Sequence, residues 1–412
     1  MRTMKWIQRK RSSLGVIVVV GLIIFLFSKC LDSKKEVITD AKGRQYAGAE
    51  ACQSCHKNIY DSFLHTAHFN TSRAATEESV KGTFNTDSSF YSYSLYNRVF
   101  MEKKSNLLYQ VEYYKNEKKN IHRFDIAIGS GTRGQSYLYW DNNKLFQLPV
   151  SYFTAAGQWS NSPGFPEHNI DFNRLITTGC LECHATFSKD ISSTRENGDD
   201  NSKQLMLGIT CERCHGPGEK HVEFQLQNPE EKKGKFIINP SSFTRAQQMD
   251  MCALCHSGKR EHVKPAFSFT AGDTLDNFLA LAPAAPGAEY LDVHVNQFGL
   301  LKKSKCYLSS TTMSCNTCHD THAQERGNIA LFSQRCMTCH KKEACHFCAA
   351  NKSMDAVTAA NCVDCHMPVK PSSVLSVLLQ GKETASPVAI RSHLIAVYPE
   401  ETKRVISFMK SK

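Results

Sequence analysis

The sequence predicts short helices joined by long loops, interrupted by one small antiparallel β insert. The first observation is a motif, Cys-x-x-Cys-His, which occurs seven times between residues 52 and 366. Its last three copies follow one another so closely that only short helices and turns fit between them. The second observation is the cysteine-free stretch 80–160, where Tyr, Phe and Val recur at alternating positions, as they do in strands.

The repeated motif is the signature of covalent haem c attachment. Both thiols bond to the haem, and the histidine that follows becomes an axial ligand of the iron. One copy alone would also fit half of a zinc site or a redox-active thiol pair, but neither explains why histidine follows every pair. We therefore predict seven covalently attached haem c groups, on motifs numbered one to seven in chain order. The attachment residues are Cys52, Cys55, Cys180, Cys183, Cys211, Cys214, Cys252, Cys255, Cys315, Cys318, Cys336, Cys339, Cys362 and Cys365. The proximal ligands are His56, His184, His215, His256, His319, His340 and His366.

The charge balance does not indicate nucleic-acid binding. The formal net charge is +11, but residues 1–30 carry six basic residues and no acidic one. The rest of the chain has 44 basic residues against 39 acidic ones, a net charge of +5. Seven haems would add about 14 propionates. The surface of the protein with its haems is therefore expected to be near neutral or acidic, and nucleic acid is excluded as a partner.

The N-terminus is typical of an export segment. Basic residues within 2–11 precede a run without charge, residues 12–28, which is long enough for a short membrane span. We predict an uncleaved anchor with its basic end in the cytoplasm, followed by a tether at 31–45. The alternative is a lipid on Cys30. In both cases the body of the protein would lie on the periplasmic side of the inner membrane.

The remaining elements follow in chain order. The apolar spacing of residues 58–68 predicts a short helix that carries His65 and His68. The β insert is expected at about 85–160 with a hairpin turn at 141–143, and its expected role is a structural cover. An Ala/Pro-rich run predicts a linker at 281–290. Residues 46–280 would hold motifs one to four, and residues 291–412 motifs five to seven and the C-terminal tail.

Ten histidines remain after each motif has used one, enough to give every iron a second imidazole. We predict five of them as distal ligands: His68, in preference to His65, and His221, His294, His322 and His393. The pattern does not decide between ligand and other roles for His262 and His346, and His122 and His168 are not expected to bind iron. Axial ligation decides function, because two imidazoles leave the iron no open position for a substrate.

Three cysteines lie outside the motifs: Cys306, Cys345 and Cys348. Cys345 and Cys348 have the spacing of a motif, but no histidine follows them, so they do not predict an eighth haem. A disulfide among the three is expected in an oxidising compartment, and a metal site is the less favoured alternative.

At these motifs the chain resembles the cytochrome c554-like multihaem family. The matching segments are motif one with His68 downstream, Cys211 to His221 through Gly-Pro-Gly, and Met313 to His322. The resemblance extends over most of residues 45–395. It implies a largely helical fold wrapped around closely packed haems, so the predicted fold class is mainly α with long loops and a small β insert. It also implies electron transfer.

Two hypotheses on function follow. The favoured one is electron transfer between a membrane-side donor and a downstream acceptor, with redox proteins as partners. The alternative is a reductase or oxidase of a small nitrogen or sulfur compound at one haem with an open position. Pentahaem nitrite reductases attach their catalytic haem through Cys-x-x-Cys-Lys, which this chain lacks, and hydroxylamine oxidoreductase-like enzymes carry eight motifs rather than seven.

Overall fold

The structure is a computed structural model that describes residues 37–189, 191, 204–282, 292–340 and 361–411. Helix and strand are nearly balanced in it, at 28% and 26%. The prediction of a mainly α fold is therefore wrong. Most helices are short because they do little more than present one motif. Strands of two to four residues between the motifs have too few positions for a clear alternation, so the sequence pattern does not reveal them.

Helices separate or contain the motifs. In the described residues they are α1 (Glu50–Phe63), α2 (Thr178–Leu181), α3 (Cys211–His215), α4 (Glu219–Gln227), α5 (Arg245–His256), α6 (Gln297–Lys302), α7 (Lys305–Ser309), α8 (Ile329–Met337), α9 (Cys362–His366) and α10 (Pro399–Lys410). Short 3-10 turns lie at Phe69–Thr71, Pro240–Ser242, Leu275–Asn277 and Cys315–Thr317.

The strands form antiparallel sheets. They are β1 (Ser72–Ala74), β2 (Phe90–Ser92), β3 (Asn97–Lys104), β4 (Leu107–Tyr114), β5 (Glu117–Arg123), β6 (Ile126–Ile128), β7 (Gly134–Asp141), β8 (Lys144–Gln147), β9 (Val150–Phe153), β10 (Gln158–Asn161), β11 (Arg174–Leu175), β12 (Ala185–Ser188), β13 (Leu205–Leu207), β14 (Arg260–His262), β15 (Leu279–Leu281), β16 (Val369–Val377) and β17 (Ser386–Arg391). One sheet has the order β1-β6-β7-β8-β11, with β9 also on β7 and β10 on β9, and a second has the order β2-β3-β4-β5. Two two-stranded pairs, β12-β13 and β14-β15, lie between motifs along the chain, and a third, β16-β17, follows motif seven.

The β insert is larger than the sequence predicts, because its first strand starts at Ser72 and its last ends at Leu175. The predicted hairpin turn is present: Asp141 pairs with Lys144, and Asn142 and Asn143 both have positive φ. Asparagine tolerates this left-handed conformation, which two-residue hairpin turns need.

The main apolar core of the described chain lies inside this insert. Its buried cluster is aromatic and β-branched, and it includes Val99, Leu108, Tyr137, Val150 and Trp159. A smaller cluster around Leu254 and Leu275 lies beside motif four. The ring of His122 packs between Tyr139 and Phe172 in the insert.

The N-terminal anchor requires a correction. In the described part of the chain, no helix is both long and apolar enough to cross a bilayer. The predicted span, residues 12–28, and the alternative lipid site Cys30 lie outside the described residues. The predicted N-terminal anchor is therefore not supported. We withdraw the prediction that the protein contacts the membrane through this anchor. Most of the predicted linker, 283–290, also lies outside the described residues, so the division at that point stays a prediction.

Candidate functional site

Each motif lies on, or at the end of, a helical turn. Helices α3 and α9 consist of a motif alone, and α5 ends at His256. Motif five begins on the 3-10 turn Cys315–Thr317. Residues three and four apart share one face of a helix, so the two cysteines and the histidine of a motif point to the same side. This is the arrangement that covalent attachment and axial ligation together require.

Hydrogen bonds to Nδ1 orient several of the proximal rings. Nδ1 of His215 lies 2.9 Å from the carbonyl oxygen of Ile238, and Nδ1 of His366 lies 2.8 Å from that of Ala396. Nδ1 of His184 instead lies 3.0 Å from the hydroxyl of Thr71. A metal-binding histidine donates its other ring N–H in this way, which fixes its tautomer. These bonds therefore leave Nε2 of each ring for the iron.

Three predicted proximal histidines face predicted distal histidines across a gap that fits one iron. The ring centres are 6.1 Å apart for His215 and His322, 6.2 Å for His256 and His68, and 6.3 Å for His319 and His393. A metal–imidazole bond of about 2 Å on each side, plus the distance from each nitrogen to its ring centre, separates two ring centres by about 6 Å. The residues present therefore fit the haem iron that the motifs imply.

The electrostatic surroundings of His68, His256 and His393 favour the metal-binding form of the imidazole. His68 and His256 are both exposed by accessible surface, but the protein packed around them lowers the pKa of both, that of His68 to about 4. Burial, followed by the nearby His319, lowers the pKa of His393 to about 4. Metals bind the neutral imidazole. At neutral pH these rings are therefore already in the form that binds iron.

The other two predicted distal ligands, His221 and His294, are not paired with a proximal ring in this way. Nδ1 of His221, on α4, lies 2.9 Å from the carbonyl oxygen of Lys235. The main-chain N–H of His294 donates to Asp292. The ring contacts of the described residues do not join either histidine to a proximal ring, so both stay predictions. His346 lies outside the described residues.

The motifs adjoin one another in an order that differs from the chain order. Thiols of different motifs lie close enough to shift one another's pKa in these pairs of the described chain: Cys52 and Cys211, Cys183 and Cys255, Cys252 and Cys315, and Cys336 and Cys362. The pairs Cys214 and Cys252, and Cys318 and Cys336, influence one another more weakly. The motifs thus form the series one, three, four, five, six, seven, and motif two adjoins both motif three and motif four.

Acidic residues between the motif cysteines hold neighbouring motifs together, and the sequence analysis missed them. Glu182 of motif two is 4% exposed, and its carboxylate accepts hydrogen bonds from Nε2 of His262 at 2.8 Å and from the N–H of Phe267 at 2.6 Å. Arg213 of motif three lies 3.7 Å from the same carboxylate. His262 therefore uses on Glu182 the nitrogen it would offer to an iron. The sequence did offer a signal for this contact, because acidic Glu182 and basic Arg213 lie between the cysteines of two different motifs.

Glu212, the other spacer residue of motif three, binds main-chain N–H groups. Its carboxylate accepts from Ala47 at 2.8 Å, Gly48 at 3.0 Å and Gly218 at 2.7 Å. Burial raises the pKa of this carboxyl. The segment that leads into motif one is thereby tied to the turn that follows motif three.

The extra cysteines are only partly described. Cys306 is half-buried and forms no disulfide within the described residues. Its two possible partners, Cys345 and Cys348, lie outside the described residues. The expected disulfide therefore stays a prediction.

Comparisons with known proteins agree with this chemistry. A family model described as cytochrome c554 and c-prime matches residues 51–92 and 157–216, which include motifs one, two and three. The multihaem cytochrome MtrA of Shewanella baltica (strain OS185) is 25% identical over 182 residues, which are 40% of this chain and 52% of that protein. The chain thus spans about half the length of this curated relative.

A search of solved structures found the outer cell wall cytochrome OcwA. The match covers 88% of this chain and 82% of that chain, with 16% sequence identity and a TM-score of 0.47. A TM-score this low supports no statement about the fold.

Proposed function

Since this chain belongs to the multihaem c-type cytochromes, we propose that it is a heptahaem electron relay outside the cytoplasm, passing electrons from a donor protein to a downstream acceptor. The membership confirms the resemblance inferred from the motifs, and it implies covalently bound haem c. The count of seven haems, the periplasmic location and the identity of the partners are parts of the proposal.

The observation that carries the proposal is the set of histidine ring pairs at motifs three, four and five. When bound there, haem iron alternates between its ferric and ferrous states and carries one electron. Each pair would offer two imidazoles to one iron, which would leave no position for a substrate. The protein's own residues would thus restrict these sites to electron transfer.

The order of the motifs supports a relay rather than isolated sites. Motifs three, four and five, which carry the ring pairs, adjoin one another, and motif one precedes them while motifs six and seven follow. Glu182 and Arg213 hold motif two against motif three. Chain segments distant in sequence are in this way fixed in contact, so the distances between successive sites do not depend on loop movements.

Two measurements test the proposal on protein made in a cell that attaches haem c. Mass spectrometry of the denatured protein should show seven haem additions, and Cys214→Ser should remove one covalent bond. Electron paramagnetic resonance of the oxidised form should show low-spin iron at the ring-paired sites. Fewer than six haem additions would contradict the heptahaem count. A stoichiometric high-spin signal that shifts with nitrite or hydroxylamine, together with turnover, would replace the relay with the reductase.

A further inference from the structure

One loop of the β insert contacts the chain segment that carries the predicted distal ligand of motif four. The loop, residues 129–133, joins β6 to β7. The N–H of Gly129 donates to the carbonyl of Thr71 at 2.6 Å, and Thr71 lies three residues after His68. Gly129 has φ +100, and a Cβ there would lie 2.8 Å from the carbonyl oxygen of Gly134. The loop therefore approaches the His68 segment with its main chain, in a conformation that favours glycine.

The last residue of this loop, Arg133, reaches the strand that leads to the predicted distal ligand of motif five. Its Nη1 donates to the carbonyl of Ala389 in β17 at 2.8 Å, and Ala389 lies four residues before His393. The carbonyl of Arg133 in turn accepts the N–H of Thr154 at 2.9 Å. The guanidinium of Arg133 is thus carried on a fixed main chain that contacts the segments of both His68 and His393.

A second arginine, Arg326, approaches the same place from the loop after motif five. Arg326 is exposed by accessible surface, but the protein packed around it, followed by the charge of Arg133, lowers the pKa of its guanidinium. Arg326 is also close enough to His68 to contribute to the lowered pKa of that imidazole. The two guanidinium groups therefore lie near each other beside the site on motif four.

Among the described residues, no carboxylate pairs with either guanidinium. The hydrogen bond of Arg133 goes to a main-chain carbonyl, and the groups that shift the pKa of Arg326 include no acid. The acidic neighbour of Arg326 in sequence, Glu325, binds the guanidinium of Arg335 with both of its carboxylate oxygens. Two like charges close together disfavour each other's charged form, and an anion between them removes this cost. Since a guanidinium binds a carboxylate through two parallel N–H bonds, the pair is suited to carboxylates.

We propose that Arg133 and Arg326 bind the propionate carboxylates of the haem held between His68 and His256. The inference rests on the proposed function, because it takes this ring pair as the two axial ligands of one iron. A haem brings two carboxylates to its site, and two guanidinium groups supply charged donors for both. The β insert therefore takes part in a haem site, in addition to the covering role expected from its sequence.

The two positive charges also bear on the reduction potential of this haem. Ferric iron carries one positive charge more than ferrous iron, so a nearby cation disfavours the ferric state. Arg133 and Arg326 therefore make the haem on motif four easier to reduce than it would be without them. The effect should be largest at this haem, because Arg326 is the arginine that influences His68.

The first test is a redox titration of the complete protein with its haems, followed by electron paramagnetic resonance. His68→Ala identifies the haem on motif four as the low-spin signal that this variant loses. Arg133→Gln and Arg326→Gln should each move the potential of that haem to a more negative value, and move it more than that of any other haem. Arg123→Gln is the matched control, because it removes the same charge from the insert at a guanidinium that is already paired with Asp125. It should leave the potentials unchanged.

The second test separates binding of the propionates from the effect of a nearby charge. Arg326→Lys keeps the positive charge but loses the two parallel N–H donors of the guanidinium. It should therefore shift the propionate bending band in the resonance Raman spectrum, which depends on hydrogen bonds to these carboxylates. Arg123→Gln should leave this band in place.

Haem content and circular dichroism of each variant show whether it has folded. If Arg326→Gln binds fewer haems than the wild type, Arg326→Lys decides the question through its Raman band. An unchanged band in Arg326→Lys and in both glutamine variants, with all haems bound, would overturn the inference and leave the relay intact. So would a wild-type potential that shifts with added nitrite or phosphate, because the arginines would then bind an external anion. If His68→Ala loses no low-spin signal, the ring pair itself is wrong, and that result would count against the proposed function.

Discussion

The rings of His215 and His322 lie nearly parallel, 28° apart, with their centres separated by 6.1 Å. His215 belongs to motif three, and His322 lies three residues beyond the proximal histidine of motif five, His319. Since His319 itself faces His393, one short loop would supply imidazoles to two different haem sites. A displacement of this loop at motif five would then also disturb motif three.

His322→Ala tests this relationship. The change should open one coordination position on the iron held by His215 and produce one high-spin haem, because a single imidazole is a weaker ligand set than two. Electron paramagnetic resonance and the visible spectrum of the oxidised protein measure it. His168→Ala is the control, since His168 is exposed and is not expected to bind iron. A wholly low-spin spectrum for His322→Ala would remove His322 from the ligand set.

A pair of glycine substitutions tests the close packing beside motif two. Gly208 and Gly381 both have positive φ, but only at Gly208 would a Cβ meet main-chain atoms, at 2.4 Å from the carbonyl oxygen of Phe69. Gly381→Ala should cost about 1–2 kcal/mol from its backbone conformation alone. Gly208→Ala should lower the free energy of unfolding by at least about 2 kcal/mol more, because the backbone must move. Denaturant unfolding of both variants measures the difference, and equal losses would contradict the close approach.

His262→Ala should affect stability and leave spin state unchanged. The ring nitrogen nearest the buried carboxylate of Glu182 is Nε2, at 2.8 Å, so its loss leaves a buried acceptor with one partner fewer. The expected cost is about 1–3 kcal/mol in the free energy of unfolding. His262→Gln, which keeps an N–H donor, should recover part of that loss. A new high-spin haem in His262→Ala would show that the histidine binds iron after all.

Part of the free energy of unfolding should depend on pH through the ionisation of Asp292. Burial alone would raise the pKa of this carboxyl, but hydrogen bonds from Ser372, Ser373 and the main chain of His294 lower it below the ordinary value of 3.8. The folded state therefore favours the charged form, and the stabilisation is present above that value and lost as the pH falls through the lowered pKa.

Asp292→Asn should make the stability of the protein depend less steeply on pH. Melting temperatures measured from neutral pH down to below pH 3.8 should fall more steeply for the wild type than for the variant. Asp87→Asn makes the same change of formal charge at an exposed acid and should follow the wild type. Parallel curves for all three proteins would show that the contacts of Asp292 do not favour its charged form.

The parts of the fold that could be predicted are those whose cause lies within a few neighbouring residues of the sequence. The turn at Asn142 and Asn143 is an example, because two residues at positive φ between alternating strands have a local cause. The pairs β12-β13 and β14-β15 had no such signal, since each strand has only three or four residues. The mainly α prediction failed chiefly because the β insert extends from Ser72 to Leu175 and because β16 and β17 form a further sheet after motif seven.

The sequence by itself determined the candidate sites of haem c attachment, because the two thiols and the imidazole of a motif lie within five residues and a single helical turn brings them together. It also narrowed the distal ligands to a few histidines. Only the tertiary structure decided which histidine faces which, as in the pair of His68 and His256, which are 188 residues apart. It likewise decided that Thr71 contacts His184 and that His262 forms a hydrogen bond with Glu182. The physical reason is that such contacts depend on how distant segments pack, and the spacing of residues along a chain carries no record of that.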